Sequence, residues 1–220
     1  MSDIFQDVDE EVRRDKAAEF WKKYQNLILA GAAVIVLASG GFRYWQYERE
    51  KAAQAAGDQF QAALTALEGG KLDEARAGFD KLAAEAPSGY RALAQMAAAG
   101  TKAQSDPPGA AAAFDAVAGD AAIDPLLRDA ARLRAALLRV DIPAEAQKGE
   151  AELTSLSAEG APFRRLAELE LAALALARND YDDAAKKLDL VLGDPEVSPD
   201  ERQLASRWLG LVAANRTAAK

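Results

Sequence analysis

Cysteine and histidine are both absent from this chain of 220 residues. Their absence excludes disulfide bonds, thiolate or imidazole metal sites, and catalysis by a thiol or an imidazole. A lipid anchor linked through a thioether is excluded as well, because it requires a cysteine. An enzyme would have to build its active site from carboxylates and amines alone. We therefore expect no metal, no cofactor and no enzymatic activity.

Positive charge and β-branched residues are also in short supply. Lys and Arg total 27 against 35 Asp and Glu, which gives a net charge of −8 and argues against a nucleic-acid partner. Val and Ile become scarce after residue 43, whereas Ala, Leu, Arg, Lys, Glu and Gln dominate. These are strong helix formers and poor strand formers. The composition predicts an all-α protein.

A long apolar run occurs only once, at residues 24–42, which contain no charged residue. A helix needs roughly 20 apolar residues, at about 1.5 Å each, to cross a bilayer core of ~30 Å. Aromatic residues flank the run on both sides, as is typical of the headgroup level. We predict one transmembrane helix over residues 24–43. Its predicted transmembrane residues include Tyr24, Leu27, Gly31, Val34, Leu37, Gly41 and Phe42.

The cations that flank the run predict its orientation. Five of them precede the run, at positions 13, 14, 16, 22 and 23, and three follow it, at 43, 49 and 51. Because Lys and Arg accumulate on the cytoplasmic side, we expect a cytoplasmic N-terminus and an external C-terminal domain. Two alternatives stay open: a signal peptide cleaved near residues 38–40, and a buried helix of a soluble protein.

Prolines and glycines divide the rest of the chain into eight or nine expected helices joined by short turns. All eight prolines follow residue 86, mostly where a helix begins or ends. Asp124 reads as an N-cap, and Ser198 with Glu201 reads as a capping box. The predicted segments are a cytoplasmic stub at 1–23, the span at 24–43, a helical linker at 44–56 and a folded domain at 57–220.

A repeat runs through this domain. Ala75, followed by Phe79 and Leu82, recurs as Ala184 followed by Leu188 and Val191, 109 residues later. Ala110 with Phe114 fits between them, and Ala146 with Leu153 fits less well, so the steps are 35, 36 and 38 residues. We expect each alanine at a close helix crossing and each larger residue in the adjoining groove. The predicted packing residues are Ala75, Phe79, Leu82, Ala110, Phe114, Tyr181, Ala184 and Leu188.

This pattern resembles tetratricopeptide repeats over residues 57–214. The resemblance implies an α-solenoid of about four helix pairs. The predicted helix from Pro199 to Ala214 has Leu204, Trp208, Leu209 and Val212 on one face, and we expect it to cover the last repeat as a cap. The middle repeats depart from the pattern, since Glu150 stands where a bulky apolar residue is expected. The alternative is an irregular alanine-rich bundle. A concave binding surface is expected to display Gln59, Ala63, Ala66, Ala94 and Leu171.

The layout of the whole chain resembles the ancillary subunit family of the SecYEG translocon. The resemblance rests on the segment Phe42-Arg43-Tyr44-Trp45, the run at residues 57–64 and the run at residues 88–99. It implies an inner-membrane protein with a periplasmic repeat domain. It also implies contact with translocon subunits, with a periplasmic chaperone or peptidyl-prolyl isomerase, and with exported client proteins. The alternatives are a repeat scaffold in cell-envelope or cell-division assembly, and an envelope enzyme or its regulatory subunit.

Charged clusters have ordinary structural interpretations. Paired carboxylates at 73–74, 182–183 and 200–201 fall at predicted helix starts, where their negative charge interacts favourably with the helix dipole. Four arginines, at 128, 132, 134 and 139, suggest a basic face on one helix. We expect these arginines to pair with nearby acids such as Asp129; the alternative is a clamp for the carboxylate of a bound peptide.

Overall fold

The computed structural model describes residues 3–218, although the side chains of residues 3–20, 27, 28, 32, 217 and 218 are not described. This part of the chain consists of helices and contains no strand, which confirms the all-α prediction. The nine helices in it are α1 (Asp3–Glu68), α2 (Leu72–Glu85), α3 (Ser88–Lys102), α4 (Pro107–Gly119), α5 (Pro125–Val140), α6 (Ala146–Leu156), α7 (Arg164–Ala177), α8 (Tyr181–Gly193) and α9 (Pro199–Ala218).

The first helix is 66 residues long and includes the predicted stub from residue 3 onward, the span and the linker, together with the start of the repeat domain. No proline occurs in it, and its glycines at 31, 40, 41 and 57 do not break it. The chain divides into two compact units, Met1–Ala52 and Ala53–Lys220, which are described separately below.

Helix ends in the second unit follow from capping groups and from residues with a left-handed backbone. The carboxylate of Asp106 accepts from the N–H of Gly109 at 2.9 Å, and that of Asp124 accepts from Leu126 at 2.8 Å. α1 ends at Glu68 and is followed by Gly70 with φ of +74°, a conformation that glycine adopts at little cost. These local interactions fix where one helix stops and the next begins.

The start of α9 contains the predicted capping box. The backbone N–H of Ser198 donates to Oε2 of Glu201 at 2.8 Å, and the N–H of Glu201 donates to Oγ of Ser198 at 3.2 Å. Burial opposes ionisation of Glu201, but the hydrogen bonds from Ser198 and the charge of Arg165 hold its pKa below the usual value. The box therefore joins a helix start to an ionised carboxylate.

Helices of the second unit pack mainly on their neighbours in the chain, as in a solenoid. The C-terminal turns of α1 form a pair with α2, and α3/α4, α5/α6 and α7/α8 form the next three pairs. The last helix, α9, covers the fourth pair: Ala205 and Val212 are buried there, and Leu204, Trp208 and Leu209 pack against the same cluster. The predicted architecture of about four pairs and a capping helix is confirmed.

Candidate protein-interaction domain

The repeat register is visible in the second helix of three pairs. Each of these helices places a fully buried alanine near its start, a buried large residue four positions later and another seven positions later. The three sets are Ala75, Phe79 and Leu82 in α2; Ala110, Phe114 and Val117 in α4; and Ala184, Leu188 and Val191 in α8. This spacing keeps all three residues on the side of the helix that faces its neighbours.

The third pair follows the same rule from a different starting residue. Gly149 is buried in α6, and Leu153 and Leu156, four and seven positions later, are buried as well. A Cβ atom on Gly149 would lie 2.9 Å from the backbone oxygen of Ala136 in α5. Glycine is therefore the small residue at the crossing of α5 and α6.

The expectation that Ala146 fills this position is wrong by three residues, since Ala146 is only half-buried. The small residue of the third repeat was assigned to the wrong position because the link between α5 and α6 carries extra residues and because this residue is glycine rather than alanine. With Gly149 as the reference, the steps between repeats are 35, 39 and 35 residues. Glu150 then no longer occupies a core position, and Leu153 provides the apolar residue that the repeat requires.

A close helix crossing stabilises the first pair, and the side chain of Tyr181 stabilises the start of the fourth. A Cβ atom on Gly78 of α2 would lie 3.0 Å from Cβ of Ala63 in α1, so these two helices approach closely. Tyr181, which begins α8, is half-buried and packs against the C-terminal core cluster. Its hydroxyl donates to Oδ1 of Asn179 at 2.8 Å, and Asn179 itself has φ of +60°. The ring of Tyr181 thus supports the tight turn between α7 and α8.

The surface expected to display ligand-binding side chains is mostly internal. Gln59 is exposed, but Ala63, Ala66, Ala94 and Leu171 are buried between helices. The expectation was wrong for these four residues because the first helices of the pairs are rich in small side chains. Because such side chains are small, each first helix packs closely against neighbours on both sides, and its alanines and Leu171 lie inside the core.

The arginines of α5 do not form a common basic face. Arg139 is 2% exposed and bridges α4 to α6, because it binds Asp115 on one side and Glu152 on the other, the latter at 2.7 Å. It also binds Glu145 at 3.1 Å. Burial alone lowers the pKa of Arg139, but the hydrogen bonds to Asp115 and Glu152 raise it above the usual value.

The other arginines of this helix have separate environments. Arg132 pairs with Asp129 at 2.6 Å, Arg134 is exposed, and Arg128 is half-buried. The expected pairing with nearby acids is thus confirmed for Arg132 and Arg139. Because three carboxylates of the same domain already surround Arg139, it does not serve as a clamp for the carboxylate of a bound peptide.

Paired carboxylates lie in the first turns of α2, α8 and α9, as predicted: Asp73 and Glu74, Asp182 and Asp183, and Asp200 and Glu201. Sequence reasoning missed a buried acid, Glu168 of α7, which lies 3.7 Å from Nζ of Lys187 in α8. Its neighbour Glu170 and the two arginines at the start of α7 made Glu168 look like one more exposed charge, so the sequence gave no sign of its burial. Among the described residues, no group of three or more acidic side chains is arranged to hold a metal ion.

In the first unit, the apolar side chains of α1 are exposed. Val34 is 64% exposed, Leu37 is 75% exposed and Phe42 is 55% exposed, whereas Tyr24 is half-buried. Gly31 and Gly41 have no atom of another residue near the position of a Cβ. The side chain of Leu27 lies outside the described residues. Within the described part of the chain, one helical segment, the part of α1 from Trp21 to Glu68, is long and apolar enough to cross a membrane.

Cation–aromatic contacts lie at both ends of this apolar segment. Nζ of Lys23 lies 5.6 Å from the ring centre of Tyr24, and the guanidinium carbon of Arg49 lies 4.6 Å from that of Trp45. Phe42 packs beside Trp45 with the ring centres 6.0 Å apart. Such amphipathic rings and long cations are typical of the interface between a membrane and water.

A family model described as a tetratricopeptide repeat-like domain matches residues 18–159, well over half of the chain. The chain belongs to this family. The match ends in the link between α6 and α7, whereas the helix pairs continue to the end of α9. No curated protein and no solved structure matched the chain. Repeat domains of this kind present extended surfaces to other proteins and are mostly scaffolds rather than enzymes.

Proposed function

We propose that this chain is a membrane-anchored protein-interaction module without catalytic activity. The observation that carries the proposal is the combination, in one chain, of a repeat domain of a protein-binding family and a helix with exposed apolar side chains. Exposed apolar surface on this scale marks a membrane or a partner as its surroundings. The helix fixes the domain at the membrane, and the domain binds proteins there.

In this proposal the segments keep their sequence-based bounds: stub 1–23, span 24–43, linker 44–56 and repeat domain 57–220. Lipid surrounds the span, whose residues include Tyr24, Leu27, Gly31, Val34, Leu37, Gly41 and Phe42. The repeats are held together by Ala75, Phe79, Leu82, Ala110, Phe114, Tyr181, Ala184 and Leu188. The burial of seven of these eight packing residues supports this assignment.

The finer part of the proposal concerns place and partner. The excess of cations before the span favours a cytoplasmic N-terminus and a periplasmic repeat domain at the inner membrane. The Phe42-Arg43-Tyr44-Trp45 segment supports association with the secretion translocon. There the domain would hold a chaperone or peptidyl-prolyl isomerase near newly exported proteins. Tethering raises the local concentration of the domain, so a modest affinity is sufficient.

Reporter fusions test the orientation. A phosphatase that is active only outside the cytoplasm is fused after Lys220 in one protein and after Lys22 in another. We expect activity from the first fusion alone. A reporter that is active only in the cytoplasm, fused at the same two positions, is the matched control and should give the reverse pattern. If the phosphatase is active only after Lys22, the orientation and the periplasmic partners are both wrong.

Affinity purification from membranes in a mild detergent tests the partners. Translocon subunits should be enriched over an unrelated single-pass protein of similar abundance. A second form of the chain, in which residues 24–42 are replaced by an unrelated apolar span, shows whether α1 itself contributes to the contact. Enrichment of cell-wall synthases in place of translocon subunits would favour the envelope-scaffold alternative. If neither translocon subunits nor cell-wall synthases are enriched, the proposed partners are wrong.

A further inference from the structure

Two neighbouring cavities open along one edge of the repeat domain, where one helix pair ends and the next begins. The first has a volume of about 860 Å³ and lies among α4, α5 and α6. The second has a volume of about 560 Å³ and lies among α7, α8 and the link to α9. Both are lined by the same three residues, Gly160, Ala161 and Pro162, so they adjoin at the link between α6 and α7. We call the two together the edge groove.

Acidic side chains outnumber basic ones in both parts of the edge groove. The first cavity is lined by four carboxylates and two cations, and the second by three carboxylates and two cations. Ion pairs within the domain already engage most of the carboxylates. Arg139 binds Asp115 and Glu152 from behind the first cavity, and Arg165 binds Asp194 at 3.5 Å in the second.

Two carboxylates of the edge groove remain available to a ligand. Glu159 lines the first cavity and Asp189 lines the second, and both are exposed. Within the described residues, neither of them forms an ion pair. Glu159 lines only the first cavity and Asp189 only the second. Arg164, which lines the second cavity, likewise forms no ion pair among the described residues. When all charged side chains are counted, the first cavity has a net charge of −2 and the second a net charge of −1.

Apolar surface lies between these charges. Leu156 and Ala118 line the first cavity, Leu190 lines the second and is 47% exposed, and Pro162 is shared. A ligand that fits this arrangement has apolar groups that contact these residues and separated positive charges that pair with Glu159 and Asp189. Nucleic acids and anionic lipid headgroups do not fit it, because the excess negative charge repels them.

We propose that the edge groove binds an extended segment of a partner protein that combines Lys or Arg with small apolar side chains. The proposal deepens the proposed function and rests on it, since it assigns the surface and the chemistry of the bound partner. Charge complementarity and the two adjoining cavities carry it. The groove lies along the inter-repeat links and is formed largely by the second helices of the pairs.

Fluorescence anisotropy tests the proposal with the full chain in zwitterionic nanodiscs. The probe is a labelled eight-residue peptide of alternating Lys, Val and Ser. One control peptide has Glu for Lys, and another has Ser for Val. We expect saturable binding of the first peptide, weaker binding of the Ser peptide and none of the Glu peptide. Failure of the Lys peptide to saturate, or equal binding of all three peptides, overturns the proposal.

A matched pair of double variants locates the site. E159K/D189K reverses the charge of the two unpaired carboxylates of the groove, and E68K/E85K makes the same charge change at exposed positions elsewhere on the domain. The groove variant should bind the Lys peptide about tenfold more weakly than the control variant. Equal weakening in both variants means that only net charge matters, which refutes the groove. If E159K/D189K does not fold by circular dichroism, E159Q/D189N with E68Q/E85Q replaces the pair.

Purification of the same variants from membranes separates this proposal from the proposed function. If E159K/D189K still co-purifies with translocon subunits, the groove is not the docking surface and the proposed function stands. If the unmodified chain captures no translocon subunit, the proposed function fails on its own evidence. Loss of capture in the groove variant, with capture kept in E68K/E85K, supports both.

Discussion

Replacement of Gly149 with alanine tests whether α5 and α6 cross as closely as described. Alanine is a better helix former than glycine by about 1 kcal/mol, so helix propensity alone predicts a more stable protein. The new Cβ atom would, however, lie 2.9 Å from the backbone oxygen of Ala136 and 2.9 Å from the backbone nitrogen of Val140. Favourable contacts between carbon atoms begin at about 3.5 Å. Backbone atoms do not move aside alone, so the two helices must separate.

The expected magnitude follows from these two opposing effects. Overpacking of a well-packed interior costs typically 1–3 kcal/mol. After the gain in helix propensity, the free energy of unfolding should fall by about 1 kcal/mol. In a domain of this size that corresponds to a drop in Tm of about 2–4 °C. Separation of α5 from α6 also lengthens the ion pair between Arg139 and Glu152.

The same substitution at Gly210 is the control, because this glycine lies within α9 and has no atom near its Cβ position. G210A should raise the free energy of unfolding by about 0.5–1 kcal/mol. Both variants are unfolded by urea as full chains in nonionic micelles, with circular dichroism as the readout. The two substitutions should change stability in opposite directions. If G149A stabilises the protein as G210A does, the close crossing of α5 and α6 is refuted.

Three further predictions concern stability. A75L should lower the free energy of unfolding by about 1–3 kcal/mol, whereas A77L at an exposed position of the same helix should change it little; equal urea midpoints would contradict the repeat register. R139Q removes the buried cation that three partly exposed carboxylates share, so thermal unfolding should show a loss of about 1–3 kcal/mol, and an unchanged Tm would contradict this role of Arg139. Burial and then the charge of Asp141 raise the pKa of Glu170. E170Q should therefore raise Tm at neutral pH; the difference should shrink as the pH falls below that raised pKa and vanish below the ordinary carboxyl pKa, where Glu170 is neutral in both the folded and the unfolded chain, and a difference that persists there would contradict the charge explanation.

Much of the fold was predictable because its rules are local. Helix formers, proline positions and capping residues such as Asp124 and Ser198 act within a few residues, and the structure contains these caps. The capping helix α9 was predictable because its apolar residues recur at helical spacing. The packing of Ala75 and Ala184 follows from the need for small side chains where helices cross.

The remainder depends on distances between residues that are far apart in the chain. Gly149 occupies the crossing in the third pair, and the shift from Ala146 follows from the longer link between α5 and α6 and from the use of glycine in place of alanine. The network around Arg139 joins residues of three helices, and no local pattern distinguishes it from its neighbour Arg134. The edge groove is likewise formed by the ends of several helices, so the sequence gave no sign that Glu159 and Asp189 line neighbouring cavities.

The interface between α6 and α7 is the smallest between consecutive helices from α2 to α9. In a chain whose helices pack on their neighbours, each interface opens at its own free energy, and opening one leaves the elements on both sides folded. The ion pair between Arg178 and Glu150, at 2.7 Å, crosses this junction but is exposed and adds little.

We therefore expect α4–α6 and α7–α9 to unfold as two blocks, which meet at a core cluster that includes Leu153, Leu156 and Leu171. On one side Arg139 fastens α4, α5 and α6 together, and on the other the C-terminal core joins α7, α8 and α9. Local unfolding should separate these blocks before either melts, and it would do so at the link that carries Gly160 and Pro162. A segment bound across that link would hold the two blocks together and slow amide exchange along it.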